Sequence, residues 1–211
     1  MLPRVFPLLL ISALVAAGCT SAPADEAAYL QKVQEYRAEK DKTWSETTDP
    51  VPAERRSELL PLRYFAPDIG YEVPAELKLS ETRPVVELPT STGELRRMEV
   101  VGTLEFTLRG QKLSLGALSP AGEPIRSLFV PFADLTTGKE TYQAGRYLDI
   151  EPTATGLYTI DFNYAYNPTC AYNKAYSCPF PPPSNRLKVE VRAGEKAPGT
   201  PHEDKGQRQS S

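Results

Sequence analysis

The chain has 211 residues, with 24 Lys and Arg against 27 Asp and Glu and a formal net charge of −3. That balance, with no basic stripe, excludes a nucleic-acid footprint, and the length suits one domain with a full core. The only histidine, His202, lies in the polar C-terminal tail, so Ser-His-Asp and Cys-His hydrolysis and His-ligated metals are excluded from the body of the chain.

Arg4 gives a positive start, an apolar run follows from Val5 to Ala17, and Ala16-Ala17-Gly18-Cys19 closes it. Small residues before a cysteine at the end of an apolar segment read as a lipoprotein signal, not as a membrane-spanning helix. Residues 1–18 are expected to be removed and Cys19 to carry acyl chains (palmitate among them). Several chains at about 0.8 kcal/mol per buried methylene anchor a protein stably. The expected address is a bacterial envelope, on the periplasmic face of the outer membrane. The expected membrane partner is reached through that lipid. Residues 19–24 read as a tether.

Asp25 to Thr43 reads as a helix, with Asp25 and Glu26 at its positive end and Leu30, Val33 and Tyr36 on one face. A short helix is expected at Ala53–Leu59, after Pro52. From Tyr71 the apolar period changes to two. Runs at Tyr71–Leu79, Val85–Leu88, Glu94–Leu108, Leu113–Ala117, Ile125–Val130, Arg146–Ile150, Leu157–Phe162 and Leu187–Val191 predict strands, with turns at Ser91-Thr92-Gly93, Arg109-Gly110 and Pro120-Ala121-Gly122. The fold class is therefore mainly β, an antiparallel sandwich or barrel-like domain over residues 25–196 with an N-terminal helix. No βαβ rhythm and no repeat is present. Residues 197–211 are polar and expected to be disordered.

Asn167–Asn185 is proline-rich and aromatic, and reads as an ordered loop pinned over the sheet. With Cys19 lipidated, Cys170 and Cys178 remain as a pair, and the simplest reading is a disulfide closing a small loop, stabilising by about 2–3 kcal/mol. Their spacing matches neither C-x-x-C redox motifs nor zinc sites, so no metal is expected. No phosphate-binding glycine motif or nucleophile elbow appears, and no cofactor is expected.

Seven of the eleven tyrosines lie between residues 142 and 176. Tyr142, Tyr166 and Tyr172, interleaved with Arg146, Asp149, Asp161, Asn163, Asn167 and Asn185, have the composition of a pocket for a sugar or other small polar ligand. Structural roles stand beside that reading for several of them. Arg146 and Asp149, three apart, face opposite sides of a strand, and each suits a separate ion pair. Asp161 and Asn163 suit bonds to loop backbone, Asp134 an Asx turn, and Asn185 a loop clamp.

The strings GKETYQAGRYLD, DFNYAYNPTCAY and CPFPPPSNRL resemble family 1684 of the domains of unknown function, which includes bacterial envelope lipoproteins. The resemblance runs over about residues 29–196 and is looser at the N-terminal end, where Pro61 stands in place of an expected Gly. It implies no activity. It does imply that the polar residues of these strings form the family's common surface.

The expected function is an envelope lipoprotein binding a small carbohydrate-like or anionic ligand through the Tyr, Arg, Asp and Asn cluster. Two alternatives stand beside it. One is a hydrolase using a carboxylate pair such as Asp149 and Asp161, with carboxyls about 5–9.5 Å apart. The other is a structural lipoprotein whose Asn167–Asn185 loop holds another envelope protein. Whether the chain is an enzyme is left open by its sequence.

Overall fold

The computed structural model describes residues 24–199. The lipoprotein signal, Cys19, the tether up to Pro23 and the tail from Thr200 lie outside the described residues. None of the described helices is long and apolar enough to cross a membrane.

Helix α1 spans Ala24–Glu46 and is followed by a 3₁₀ turn at Ala53–Arg55 and a single helical turn, α2, at Arg56–Leu59. Seven strands follow: β1 (Glu72–Leu79), β2 (Val85–Pro89), β3 (Leu95–Leu108), β4 (Gln111–Pro120), β5 (Leu128–Phe132), β6 (Arg146–Ile150) and β7 (Leu157–Asp161). They form one antiparallel sheet in the order β6-β5-β4-β3-β1-β7, with β2 added to β3, curled into a half-barrel. The mainly β expectation holds. Of the sandwich and the barrel, the single curled sheet is the barrel-like one.

The length of β3 organises the sheet. Its first half pairs with β2 (Leu88 opposite Arg96) and its second half with β1 (Leu77 opposite Leu104). The exchange of partner falls at a bulge between Val100 and Gly102. A Cβ on Gly102 would sit 2.3 Å from the Lys78 carbonyl oxygen, so only glycine admits that close approach.

Alternation places Val73, Ala75 and Leu77, then Leu104, Phe106 and Leu108, then Leu115 and Ala117 on one face. With Val130, Phe132, Leu148 and Ile160 they form the main core. Phe162 sits at its centre, its ring 5.4 Å from that of Phe132 and 5.8 Å from that of Phe106. A smaller cluster of Leu88, Met98 and Leu118, edged by Val100 and Phe129, covers part of the opposite face.

Two sequence expectations are corrected. Leu79, the last apolar residue of the Tyr71–Leu79 alternation, is 69% exposed, because β1 ends there. Leu187–Val191 is an arm and not a strand: its amides bond one at a time, Leu187 N–H to Ala133 (2.8 Å), while Leu135 N–H donates to Val189 (3.0 Å). The Pro-rich loop is pinned over the sheet as expected, and its place is the β2–β3 hairpin, with Ser91 N–H donating to Cys178 and Phe180 N–H to Pro89.

Candidate functional site

Six of the nine residues expected to line a pocket are turned inward and hydrogen-bonded within the protein. Arg146 is 1% exposed. Its guanidinium donates to Asp134 Oδ2 (2.7 Å) and to the carbonyls of Val191 (2.8 Å), Glu195 (3.2 Å) and Ala193. Burial lowers its pKa and the Asp134 carboxylate opposes that. Asp134 also accepts from Thr136 N–H (2.7 Å), the expected Asx turn.

Asn185 is fully buried. Its Oδ1 accepts from Gly116 N–H (2.7 Å) and its amide donates to Gly116 (2.9 Å) and Pro131 (2.8 Å). It is the loop clamp that one reading of the sequence anticipated.

Asp161 ends β7 and caps the 3₁₀ turn Phe162–Tyr164, accepting from Asn163 N–H (2.9 Å) and from the Tyr29 hydroxyl (2.8 Å). Asn163 donates to Asp161, to Asp68 and to Tyr29, and its Oδ1 accepts from Asp68 N–H. The two therefore meet through a cap, not by sharing a strand face. Asn167 and Tyr172 converge on Glu195: Asn167 N–H and the Tyr172 hydroxyl both donate to Glu195 Oε2 at 2.8 Å, while Lys40 reaches Oε1 at 2.6 Å. Burial, and then Glu195, pushes the Tyr172 hydroxyl far above its ordinary pKa.

The remaining three lie elsewhere. Asp149 points away from Arg146, as their spacing requires, and accepts from the Tyr166 hydroxyl. Burial and the Asp149 carboxylate raise the pKa of Tyr166. Asp149 and Tyr166 face a cleft of about 360 Å³ between β3, β6 and the Pro-rich loop. Arg96, Phe129, Tyr147 and Cys178 complete its walls, with Ser127, Thr169 and Ser177 at its edges. Tyr147 sits edge-on to both Phe129 and Tyr166, with ring centroids 4.7 and 5.8 Å apart. Arg96, which the sequence reading missed, lends the cleft its cation and donates to the Ser177 carbonyl at 3.3 Å. Tyr142 packs behind, against the cysteines, and burial pushes its hydroxyl up to about 12.

The disulfide expected between Cys170 and Cys178 is not formed: both are free, buried thiols. They meet through hydrogen bonds instead, Cys170 N–H donating to Cys178 Sγ at 3.1 Å. Asp149 and Asp161 share no hydrogen-bond partner. No group of three or more metal-ligating side chains occurs among the described residues.

Residues 58–196 match the model of a family described as a protein of unknown function, DUF1684. The fold is similar to the solution NMR structure of an uncharacterized protein of Haloarcula marismortui. That protein is 42% identical to the chain, with a TM-score of 0.64 over 82% of this chain and 96% of the other. No curated protein matches.

Proposed function

Because the chain belongs to the DUF1684 family, whose function is unknown, we propose a role from its own residues: a lipid-anchored envelope protein that binds a small polar ligand in the cleft at Asp149, Tyr166 and Arg96. The observation that supports this reading is the gathering there of an acceptor, a cation and tyrosine faces around a space of about 360 Å³. That volume lies within the range of small-molecule sites. Tyr147 and Tyr166 offer flat apolar surfaces, and Asp149 and Arg96 offer bonds to hydroxyl or anionic groups. The membrane anchor is Cys19, reached through the Ala16-Ala17-Gly18 signal.

A thermal-shift panel of sugars, muropeptides and phosphorylated metabolites tests the cleft, with Arg96→Ala and Asp149→Asn as variants. A ligand at about 100 times its Kd adds near 2.7 kcal/mol, a shift of a few degrees for a domain of this size. The shift is expected in the wild type and lost in both variants. A shift that survives both substitutions, or none from any class, removes the reading. For the anchor, Cys19→Ser is expected to move the protein from the membrane to the soluble fraction.

A further inference from the structure

We propose that Cys178 and Cys170 form a thiol–disulfide exchange pair, with Cys178 the attacking thiol on the cleft wall and Cys170 the resolving thiol behind it. The site shares a wall with the ligand cleft but does not depend on ligand binding there.

Position assigns the two roles. Cys178 lines the cleft and Cys170 does not. Cys178 Sγ accepts from Cys170 N–H at 3.1 Å and lies 3.6 Å from Thr169 Oγ1, so a negative charge on that sulfur is already met by donors. The Cys170 thiol adds a further donor, and that bond outweighs burial to hold Cys178 below the ordinary thiol range. Donating the same bond, and then burial, raises Cys170. Other groups face the pair from every side. They are Arg96 on β3, which favours the Cys178 thiolate, the Ser91 and Tyr142 hydroxyls near Cys170, and the buried ring of Tyr147. One sulfur is thus placed as the nucleophile on the cleft wall, with its neighbour behind it as the resolving thiol.

The exchange balances as follows. The Cys178 thiolate attacks one sulfur of a substrate disulfide; that S–S bond breaks, one substrate thiolate leaves and takes a proton from water. A mixed disulfide now joins Cys178 to the other half. Cys170 gives up its proton and attacks Cys178 Sγ, the mixed bond breaks, and the second substrate thiol departs carrying a proton. The substrate disulfide is reduced to two thiols, and the protein dithiol is oxidised to the Cys170–Cys178 disulfide. Cys178 is only 5% exposed, so the substrate class is a small or extended peptide disulfide that can enter a narrow cleft.

The test uses the full chain carrying Cys19→Ser, which removes the third thiol, in reduced form with glutathione disulfide as the probe. Samples are acid-quenched, alkylated and weighed by mass spectrometry. The parent protein is expected to lose two hydrogens, map them to Cys170–Cys178, and release two equivalents of glutathione. Cys170→Ser is expected to stop with one glutathione on Cys178, and Cys178→Ser to react at least tenfold more slowly. Iodoacetamide labelling of the parent is expected to fall first on Cys178, with a midpoint below that of an ordinary thiol. Circular dichroism checks that each variant is folded. The proposal is overturned if the thiols react only in urea, or if Cys170 reacts as fast as Cys178. Because the readout is covalent mass, absence of a ligand shift in the cleft leaves this result unaffected.

Discussion

Asn185 separates a residue that holds the fold from one that holds a ligand. Its side chain fills two acceptors and one donor of the backbone at once, linking the Pro-rich loop to β4 and β5. Replacing it with Ala leaves the Gly116 N–H and the Gly116 and Pro131 carbonyls buried without partners. Each such group costs about 1–3 kcal/mol, and partial relaxation brings the expected loss to about 3 kcal/mol by urea unfolding. Asn185→Asp keeps the acceptor, loses both donors and buries a charge, so it is expected to be no better at neutral pH. A ligand contact would behave differently, with unchanged stability and weaker binding. The amino-acid string offers this residue as either, since a clamp and a contact need the same amide. What decides between them is the position of the Gly116 and Pro131 carbonyls, which no side-chain pattern encodes. Arg96 escaped notice for a related reason: it lies far in sequence from the Tyr-rich segment and joins it only because β3 runs beneath the loop.

At the scale of elements, the arm from Leu187 to Lys196 depends on side chains where a strand would use its own ladder. Its apolar alternation resembles that of a strand, yet it lacks a neighbour to pair with continuously. Arg146 supplies the missing donors, one guanidinium serving the carbonyls of Val191, Ala193 and Glu195. Gly194 then lets the arm pass close to Ala165, whose carbonyl oxygen would lie 2.4 Å from any Cβ there. Arg146→Met is expected to cost about 3–5 kcal/mol, since Asp134 would be left charged in a site with 0% side-chain exposure. Adding Asp134→Asn removes that stranded charge, and the double variant is expected to recover part of the loss in a denaturation cycle. The ligand binding proposed for the cleft is expected to be untouched in the double variant, because the arm lies on the opposite side of β6 from Asp149. The strands themselves were readable from their period of two, because burial on one face leaves that mark. The arm carried a similar mark without the pairing.

For the whole molecule, helix α1 and the half-barrel are held by different physics. The sheet buries an extensive apolar core. The helix, among its described side chains, buries only Val33 and Arg37. Its grip is polar: Tyr29 on Asp161, Arg37 on the carbonyls of Phe65 (2.8 Å) and Asn163 (3.2 Å), and Lys40 on Glu195. Rings assist, Tyr36 against Tyr164 and Trp44 against Tyr172. An element docked by few apolar contacts opens at lower free energy than a core sheet. Native-state hydrogen exchange is therefore expected to show α1 amides exchanging through an undocking event well below global unfolding, with β3 and β4 the most protected. Glu195→Gln sharpens the expectation. The amide still offers an oxygen to Asn167 N–H, but the charge that holds Lys40 is gone, from a pair whose side chains are only 13% and 2% exposed. The α1 amides are expected to exchange about tenfold faster in that variant while β3 and β4 stay unchanged, since a loss near 1.4 kcal/mol in local opening suffices for a factor of ten. Equal acceleration in helix and sheet would mean that the molecule opens as one unit and that the polar seam is not a hinge of its unfolding.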